Sequence, residues 1–192
     1  MQNLFMKMAA RNISRVYANI NTSLGPEHWD YSNLTVNWGD MEDFQLEGQV
    51  GRGHYSQVFR CWERATQRRM VVKILTDRSD LELRAKREIK ILELLLGGPN
   101  IVTLYRPVSD IRSQRFGLVL EQAGSNTLAE VQSSLVKEDI RLYMFQLLLA
   151  LDYSHSRGIM HRDVKPNKEY TWHVDSKHYK APELLVHYTM YG

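Results

Sequence analysis

The stretch HRDVKPN, residues 161–167, decides the fold prediction when it is considered together with the segments that precede it along the chain. It holds an aspartate, Asp163, that could accept or orient a hydroxyl proton at the mouth of a cleft. It also holds Lys165, which could neutralise charge on a moving phosphoryl group. The tripeptide His-Arg-Asp is a weak signal by itself, so the weight comes from features upstream.

A long helix is predicted directly before this stretch, over residues 137–155, and Gly158 ends it. A helix that is apolar on nearly all sides must be buried on nearly all sides. This one has apolar residues on one face and around most of the rest: Ile140, Leu142, Met144, Phe145, Leu147, Leu148, Leu149 and Leu151.

The first half of the chain predicts an antiparallel sheet with one inserted helix. Branched, apolar segments bounded by turn residues are typical of strands, and a glycine followed by proline ends a helix. The predicted strands are residues 44–50, 56–63, 70–75, 101–108 and 116–122, and the predicted helix, residues 81–96, ends at the Gly-Gly-Pro of 97–99. A short helix is expected near residues 127–133.

The first two strands are joined by GRGHYSQV, residues 51–58. Two glycines in such a turn let backbone amides approach a phosphate closely, and their open φ range permits a tight turn. The third glycine of the usual G-x-G-x-x-G pattern is Ser56 here. An ordinary hairpin turn explains the stretch equally well when it is taken alone.

Two charges in this half need an explanation. Lys73 is the only charge inside the apolar strand MVVKIL, and an unpaired buried ammonium is costly. Glu88 falls on the apolar face of the predicted helix. Lys73 could instead snorkel from an edge strand, and Glu88 could pair with Arg84 one turn earlier. The interpretation that explains both charges at once is a pair between them.

Composition excludes several other classes. A net charge of +3 is too small to indicate nucleic-acid binding, and no apolar run reaches the ~18 residues of a membrane span. The single cysteine, Cys61, cannot form an internal disulfide and fits a reducing compartment. The basic N-terminus is interpreted as a flexible tail rather than a transit peptide.

Glycine turn, strand lysine, helix glutamate and His-Arg-Asp loop occur in the order of the protein-kinase signature, and APE at 181–183 matches its far end. We therefore predict an α+β protein kinase-like fold: an antiparallel β N-lobe with one inserted helix, and an incomplete α-helical C-lobe. Longer segments resemble the catalytic alpha subunit of casein kinase II: RVYANINT (15–22), WDYS (29–32), GRGHYSQVF (51–59), VVKIL (71–75), KREIKILE (86–93), GGPNI (97–101), ALDYSHSRGIMHRDVKP (150–166) and YKAPELLVHYTMY (179–191).

The resemblance implies a serine/threonine kinase that prefers acidic targets, uses ATP or GTP with magnesium, and binds a regulatory beta subunit through its N-lobe. Asp163 would be the catalytic base, assisted by Lys165. Lys73 would hold the α- and β-phosphates and Glu88 would fix Lys73. The turn would cover the phosphates through Gly51, Arg52, Gly53, His54, Tyr55, Ser56 and Val58. The adenine would meet Glu121 and Ala123 beside the gatekeeper Leu120, and Lys177 and Lys180 would meet acidic substrate groups.

The sequence departs from the kinase pattern after Asp163. The pattern needs an asparagine five residues later and then Asp-Phe-Gly or Asp-Trp-Gly to hold magnesium. Here Lys168 stands at that fifth position, Asn167 comes one position early, and neither tripeptide occurs. The chain therefore resembles a family member with an internal deletion between Asn167 and Lys168 and a C-terminal truncation. We expect poor phosphotransfer and an exposed, aggregation-prone long helix.

The predicted organisation has five parts: a tail (1–13), an N-terminal extension packing on the core (14–43), the N-lobe (44–121), a hinge (122–126) and a partial C-lobe (127–192). Basic residues before Glu88 are interrupted by Asp80 and Glu82, which weakens the case for acidic substrates. The alternative function is a catalytically inactive, pseudokinase-like module that binds the regulatory beta subunit or substrates. Cytoplasmic and nuclear localisation is expected, without nucleic-acid or membrane partners.

Overall fold

The computed structural model describes residues 16, 17, 19–53, 55–76, 80–110, 112–122, 135–162 and 164. The chain divides into two compact units, one of residues 26–150 and one of residues 1–25 with 151–192. The larger unit contains a sheet, one helix packed on it and most of a second helix. The division between the units falls inside that second helix.

The sheet has six strands in the order β1-β5-β6-β4-β3-β2. All neighbours are antiparallel except β1 and β5, which are parallel. The strands are β1 (Gly39–Asp40), β2 (Phe44–Arg52), β3 (Ser56–Glu63), β4 (Arg69–Leu75), β5 (Leu104–Asp110) and β6 (Arg115–Leu120). The five predicted strands are all present. β1 was not predicted, because two residues are too few to show a pattern.

One predicted strand was misplaced. The segment 101–108 was expected to be extended throughout, whereas β5 begins at Leu104 and continues to Asp110. Ile101 still belongs to the preceding turn, since its amide donates to the carbonyl of Gly98 at 3.4 Å. At its other end β5 extends past the predicted residue 108, because Asp110 pairs with Arg115 in the β5–β6 ladder.

Side-chain alternation divides the core into two clusters. One contains Phe44, Cys61, Met70, Val72, Ile74, Val108 and Val119. The other contains Leu75, Leu118 and Leu120 from the sheet, packed on Ala85, Ile89 and Leu92 of a helix. In β4, Val71 and Leu75 belong to the second cluster, so the same alternation directs Lys73, which lies between them, toward the helix.

That helix, α2, spans Leu81–Leu95 and follows a short helix, α1, at Ile20–Ser23. Its buried residues are Ala85, Ile89, Leu92 and Leu95, and Glu88 directly precedes Ile89. The helix ends two residues before Gly97, whose φ of +76° is the left-handed conformation that glycine adopts readily. The predicted stop signal is confirmed.

Residues 31–38 lie over the second core cluster. Leu34, Val36 and Trp38 pack against it, and the Trp38 and Phe116 rings have centroids 4.8 Å apart. The strand β1 is therefore held by packing as well as by its pairing with β5.

The long helix α3 spans Lys137–Ser156, as predicted to within one residue. Of its residues only Ser154 is buried. Large apolar side chains are exposed by 36% or more along it: Ile140, Leu142, Tyr143, Met144, Phe145, Leu147, Leu148 and Leu149. The expected exposed apolar helix is thus confirmed. Within the part of the chain that the structure describes, neither this helix nor any other has the length and apolarity to cross a membrane.

The middle and the C-terminal part of α3 have specific contacts. In the larger unit, the side-chain amide of Asn100 donates to Gln146, at 2.7 Å to Oε1 and 3.1 Å to the carbonyl. In the smaller unit, the Tyr17 hydroxyl donates to Asp152 Oδ1 at 2.8 Å, and this bond raises the pKa of Tyr17. The helix ends before Gly158, which has a φ of +74°. The helix predicted near 127–133 lies outside the described residues.

Candidate active site

Lys73 lies in the interior of the sheet. Strand β4 has β3 on one side and β6 on the other, and Lys73 is directly opposite Val58 in β3 and Leu118 in β6. The alternative of an edge-strand lysine reaching into water is therefore wrong. Because the backbone of β4 is paired with a strand on each side, only the conformation of the Lys73 side chain can change where its ammonium group lies.

The Lys73 side chain meets Glu88 of α2. Its Nζ lies 2.5 Å from Glu88 Oε1, and the two side chains are 27% and 32% exposed. A carboxylate on the sheet-facing side of the helix thus has a cation opposite it, which explains both charges noted in the sequence. The predicted pair is confirmed, and the alternative partner, Arg84, instead lies over the ring of Tyr55, 4.9 Å from its centre.

The glycine turn lies in register with this pair. Across three strands, Val58 is opposite Gly51 on one side and opposite Lys73 on the other. At the tip, the Gly53 amide donates to the carbonyl of Ser56 at 2.7 Å. The register therefore brings the start of the turn and the lysine strand to the same level of the sheet.

The reason for the two glycines differs in part from the prediction. Positive φ values among the glycines occur at Gly97 and Gly158, so the turn does not use the wider φ range of glycine at Gly51 or Gly53. A Cβ added at Gly51 or Gly53 would meet other protein atoms only at 3.5 Å or more, which is ordinary contact. Packing within the protein therefore does not require these glycines, and their backbone is open to close approach by a ligand.

The strand that leads out of this region is β6. Leu120, at its end, is 9% exposed and belongs to the core cluster beneath α2. The next amide, that of Glu121, donates to the carbonyl of Thr103 at 3.0 Å. The residue proposed as gatekeeper is therefore fixed by the core, and the backbone that follows it is fixed by a hydrogen bond.

Comparison with protein families agrees with this geometry. The family described as "Protein kinase domain" matches residues 44–168, which is more than half of the chain. The chain belongs to the protein kinase family. Its antiparallel-rich sheet, with the Lys73–Glu88 pair between sheet and helix, is the N-lobe of an α+β kinase fold, and protein kinase domains generally use ATP and Mg²⁺ and act on protein substrates.

Several residues of the predicted kinase site lie outside the described part of the chain. His161, Arg162 and Val164 are described, and Arg162 has a φ of 63°, a conformation that non-glycine residues seldom adopt. The residues whose positions cannot be compared with the prediction are His54, Ala123, Asp163, Lys165, Asn167, Lys177 and Lys180. Their roles remain predictions.

The donor set for magnesium does not fit the kinase pattern. Asp-Phe-Gly and Asp-Trp-Gly are absent from the sequence, and Lys168 stands where the pattern has asparagine. Within the described ranges, His, Cys, Asp and Glu side chains form no group of three that could hold a metal ion. The Lys73–Glu88 pair is therefore present, whereas the sequence lacks the carboxylate with which kinases hold magnesium.

Sequence reasoning missed one contact of this kinase N-lobe. Arg84 entered the sequence analysis only as a competing partner of Glu88, yet it contacts the glycine turn through Tyr55. The signal available in the sequence was the spacing between Arg84 and Glu88, since residues four apart share a helix face. A residue on the same face as Glu88 is directed toward the same side of the sheet.

Proposed function

We propose that this chain is a casein kinase II alpha-type serine/threonine kinase domain that binds ATP, or GTP, and transfers its γ-phosphate poorly. The Lys73–Glu88 ion pair of 2.5 Å carries the nucleotide part of the proposal. A strand lysine held by a helix carboxylate is the arrangement with which kinases grip the α- and β-phosphates. The casein kinase II type rests on the sequence resemblance.

The residues present fit the polyphosphate of a nucleotide. The turn from Gly51 to Val58 offers backbone amides and two glycines whose missing side chains no protein contact explains. Lys73 supplies the cation, and Glu88 orients it. The adenine would lie against the backbone of residues 121–123, next to Leu120.

Phosphotransfer would depend on Asp163 as the base for the substrate hydroxyl, with Lys165 neutralising charge on the transferred group. In kinases generally, magnesium neutralises charge on the transferred phosphate; this sequence lacks the aspartate that holds the ion and retains Asn167, one position early, as a candidate ligand. Loss of a preorganised electrostatic element of this kind costs about 3 kcal/mol or more in the transition state. We therefore expect transfer to be slowed by about two orders of magnitude or more.

Substrate and partner follow from the resemblance. We propose that the substrates are Ser/Thr sites in acidic sequences, with Lys177 and Lys180 as the basic groups that meet them. The regulatory beta subunit of casein kinase II is the proposed partner of the N-lobe. The cytoplasm and nucleus are the proposed locations.

The test separates nucleotide binding from transfer. ATP affinity of the purified chain is measured by calorimetry for the wild type, for Lys73→Met and for Lys90→Met, which removes the same charge from outside the pair. We expect binding by the wild type and by Lys90→Met and a loss of tenfold or more in Lys73→Met. Equal affinities in all three chains would contradict the assignment of the phosphate site.

Transfer is measured with radiolabelled ATP and an acidic peptide. We expect the wild-type rate to lie close to that of Asp163→Asn, in which the proposed base is removed. Robust magnesium-dependent transfer that Asp163→Asn abolishes would refute the proposed impairment and would leave the kinase assignment intact.

The exposed helix α3 favours a second candidate function, a catalytically inactive binding module. Its eight large exposed apolar side chains form a surface of the kind that contacts other proteins. This candidate predicts co-purification with the regulatory beta subunit and no transfer above background. Absence of association at micromolar concentration would count against it.

A further inference from the structure

Arg84 and Tyr55 form a contact between the glycine turn and helix α2. The guanidinium carbon of Arg84 lies 4.9 Å from the centre of the Tyr55 ring. A guanidinium within ~6 Å of an aromatic ring centre is attracted by the negative face of the ring. Tyr55 is 53% exposed, so the contact lies at the surface, where such attraction is modest.

The turn is joined to the sheet by backbone bonds. The amide of Gly53 donates to the carbonyl of Ser56 at 2.7 Å, and the amide of Thr76, just after β4, donates to the carbonyl of Tyr55 at 3.0 Å. These bonds fix the turn relative to β3 and β4. The Arg84 contact adds a link to the helix, which these backbone bonds do not provide.

On the helix, Arg84 precedes Glu88 by four residues and shares its face. One turn of α2 therefore holds two parts of the phosphate site: Arg84 contacts Tyr55 in the turn, and Glu88 contacts Lys73 in β4. A rotation of α2 away from the sheet would break both contacts together. The helix is thus connected to the turn and to β4 at two neighbouring points.

We infer that Arg84 is a positioning residue, which ties the glycine turn to α2 through the Tyr55 ring and so keeps the turn in place over the nucleotide phosphates. The inference rests on the proposed nucleotide site. Arg84 acts through Tyr55 and needs no contact with the nucleotide. Its effect is preorganisation, because a turn already held in place loses less freedom when the nucleotide binds.

The first measurement does not involve nucleotide. Hydrogen exchange of the Thr76 amide reports opening of the turn, because its acceptor is the carbonyl of Tyr55. We expect Arg84→Gln and Tyr55→Leu to speed this exchange by about two- to fivefold, the range that a surface cation–π contact supports. Arg87→Gln is the matched control, since Arg87 lies on the same helix but over Tyr31, 5.8 Å from its ring centre. Exchange that is as slow in Arg84→Gln as in Arg87→Gln would overturn the inference.

The second measurement is a double-mutant cycle on ATP affinity. Arg84→Gln is expected to weaken ATP binding about two- to fivefold in the wild-type and Tyr55→Phe backgrounds, which keep the ring, and to have no further effect in Tyr55→Leu. An equal effect of Arg84→Gln in all three backgrounds would show that Arg84 does not act through the ring. If the wild-type chain binds no ATP, the proposed function fails, and the Thr76 exchange still decides this inference.

Discussion

The ammonium nitrogen of Lys73 lies 2.5 Å from a carboxylate oxygen of Glu88, although the two residues are 15 positions apart along the chain. Alternation in β4 turns Lys73 toward α2, and the helical repeat turns Glu88 toward the sheet. Because the side chains are only 27% and 32% exposed, water screens the pair less than it screens a surface ion pair.

Substitution of the helix carboxylate should therefore weaken nucleotide binding. Glu88→Gln keeps the shape of the side chain and removes the charge that orients Lys73. We expect ATP affinity, measured by calorimetry, to fall by about three- to tenfold, less than a fully buried charged hydrogen bond would give. Glu82→Gln is the control, since Glu82 pairs with Lys86 at 3.1 Å on the same helix and its side chain is 56% exposed. A fall of the same size in the control would show that only overall charge matters.

Two glycines with similar positive φ angles should differ in how strongly replacement by alanine destabilises the chain. Gly97 and Gly158 both have positive φ, +76° and +74°, so alanine at either strains the backbone by about 1 kcal/mol. A Cβ at Gly97 meets nothing within 4 Å, whereas one at Gly158 would clash with Asn21 Oδ1. Urea unfolding should show a larger loss of stability for Gly158→Ala, reduced when Asn21→Ala is added. Equal losses at both glycines would mean that the Asn21 contact has no energetic weight.

The thiol of Cys61 should be unreactive in the folded chain. It is 2% exposed, and burial, with a smaller contribution from Glu47, raises its pKa to about 11. A raised thiol pKa means that the neutral form persists, so at pH 8 about one thiol in a thousand is the reactive thiolate. Ellman's reagent should label the native chain slowly and the urea-unfolded chain at once.

A second chain provides the reference rate for this labelling. In Cys61→Ala with Arg112→Cys, the new thiol replaces a side chain that is 91% exposed, and fast native labelling is expected. Native Cys61 reacting as fast as this exposed thiol would contradict its burial.

The apolar surface of α3 should cause self-association. Leu142, Phe145 and Leu148 are 57–58% exposed, so replacement by glutamine removes apolar surface without opening a cavity. We expect the triple variant to scatter less light at the same concentration, with its free energy of unfolding changed by less than about 1 kcal/mol. The same change at Leu118, which is 0% exposed, should instead unfold the domain. Unchanged scattering by the triple variant would show that α3 is not the associating surface.

Much of the fold could be predicted from the sequence because local signals agree with the tertiary structure. Branched, apolar segments bounded by turn residues predicted the strands β2 to β6, and the helical pattern ending in Gly-Gly-Pro predicted α2. The prediction was less accurate where local signal is short or ambiguous. β1 has only two residues, and the start of β5 depends on a turn bond at Ile101 rather than on composition.

The sequence by itself determined which charges needed partners: an ammonium in an apolar strand and a carboxylate on an apolar helix face are both costly alone. It also determined that the magnesium-binding tripeptide is absent. Only the tertiary structure decided the partners. In the structure Glu88 pairs with Lys73, and Arg84 lies over Tyr55. Strand order and the packing of α2 fix which groups meet, whereas spacing along the chain alone also permits a pair between Glu88 and Arg84.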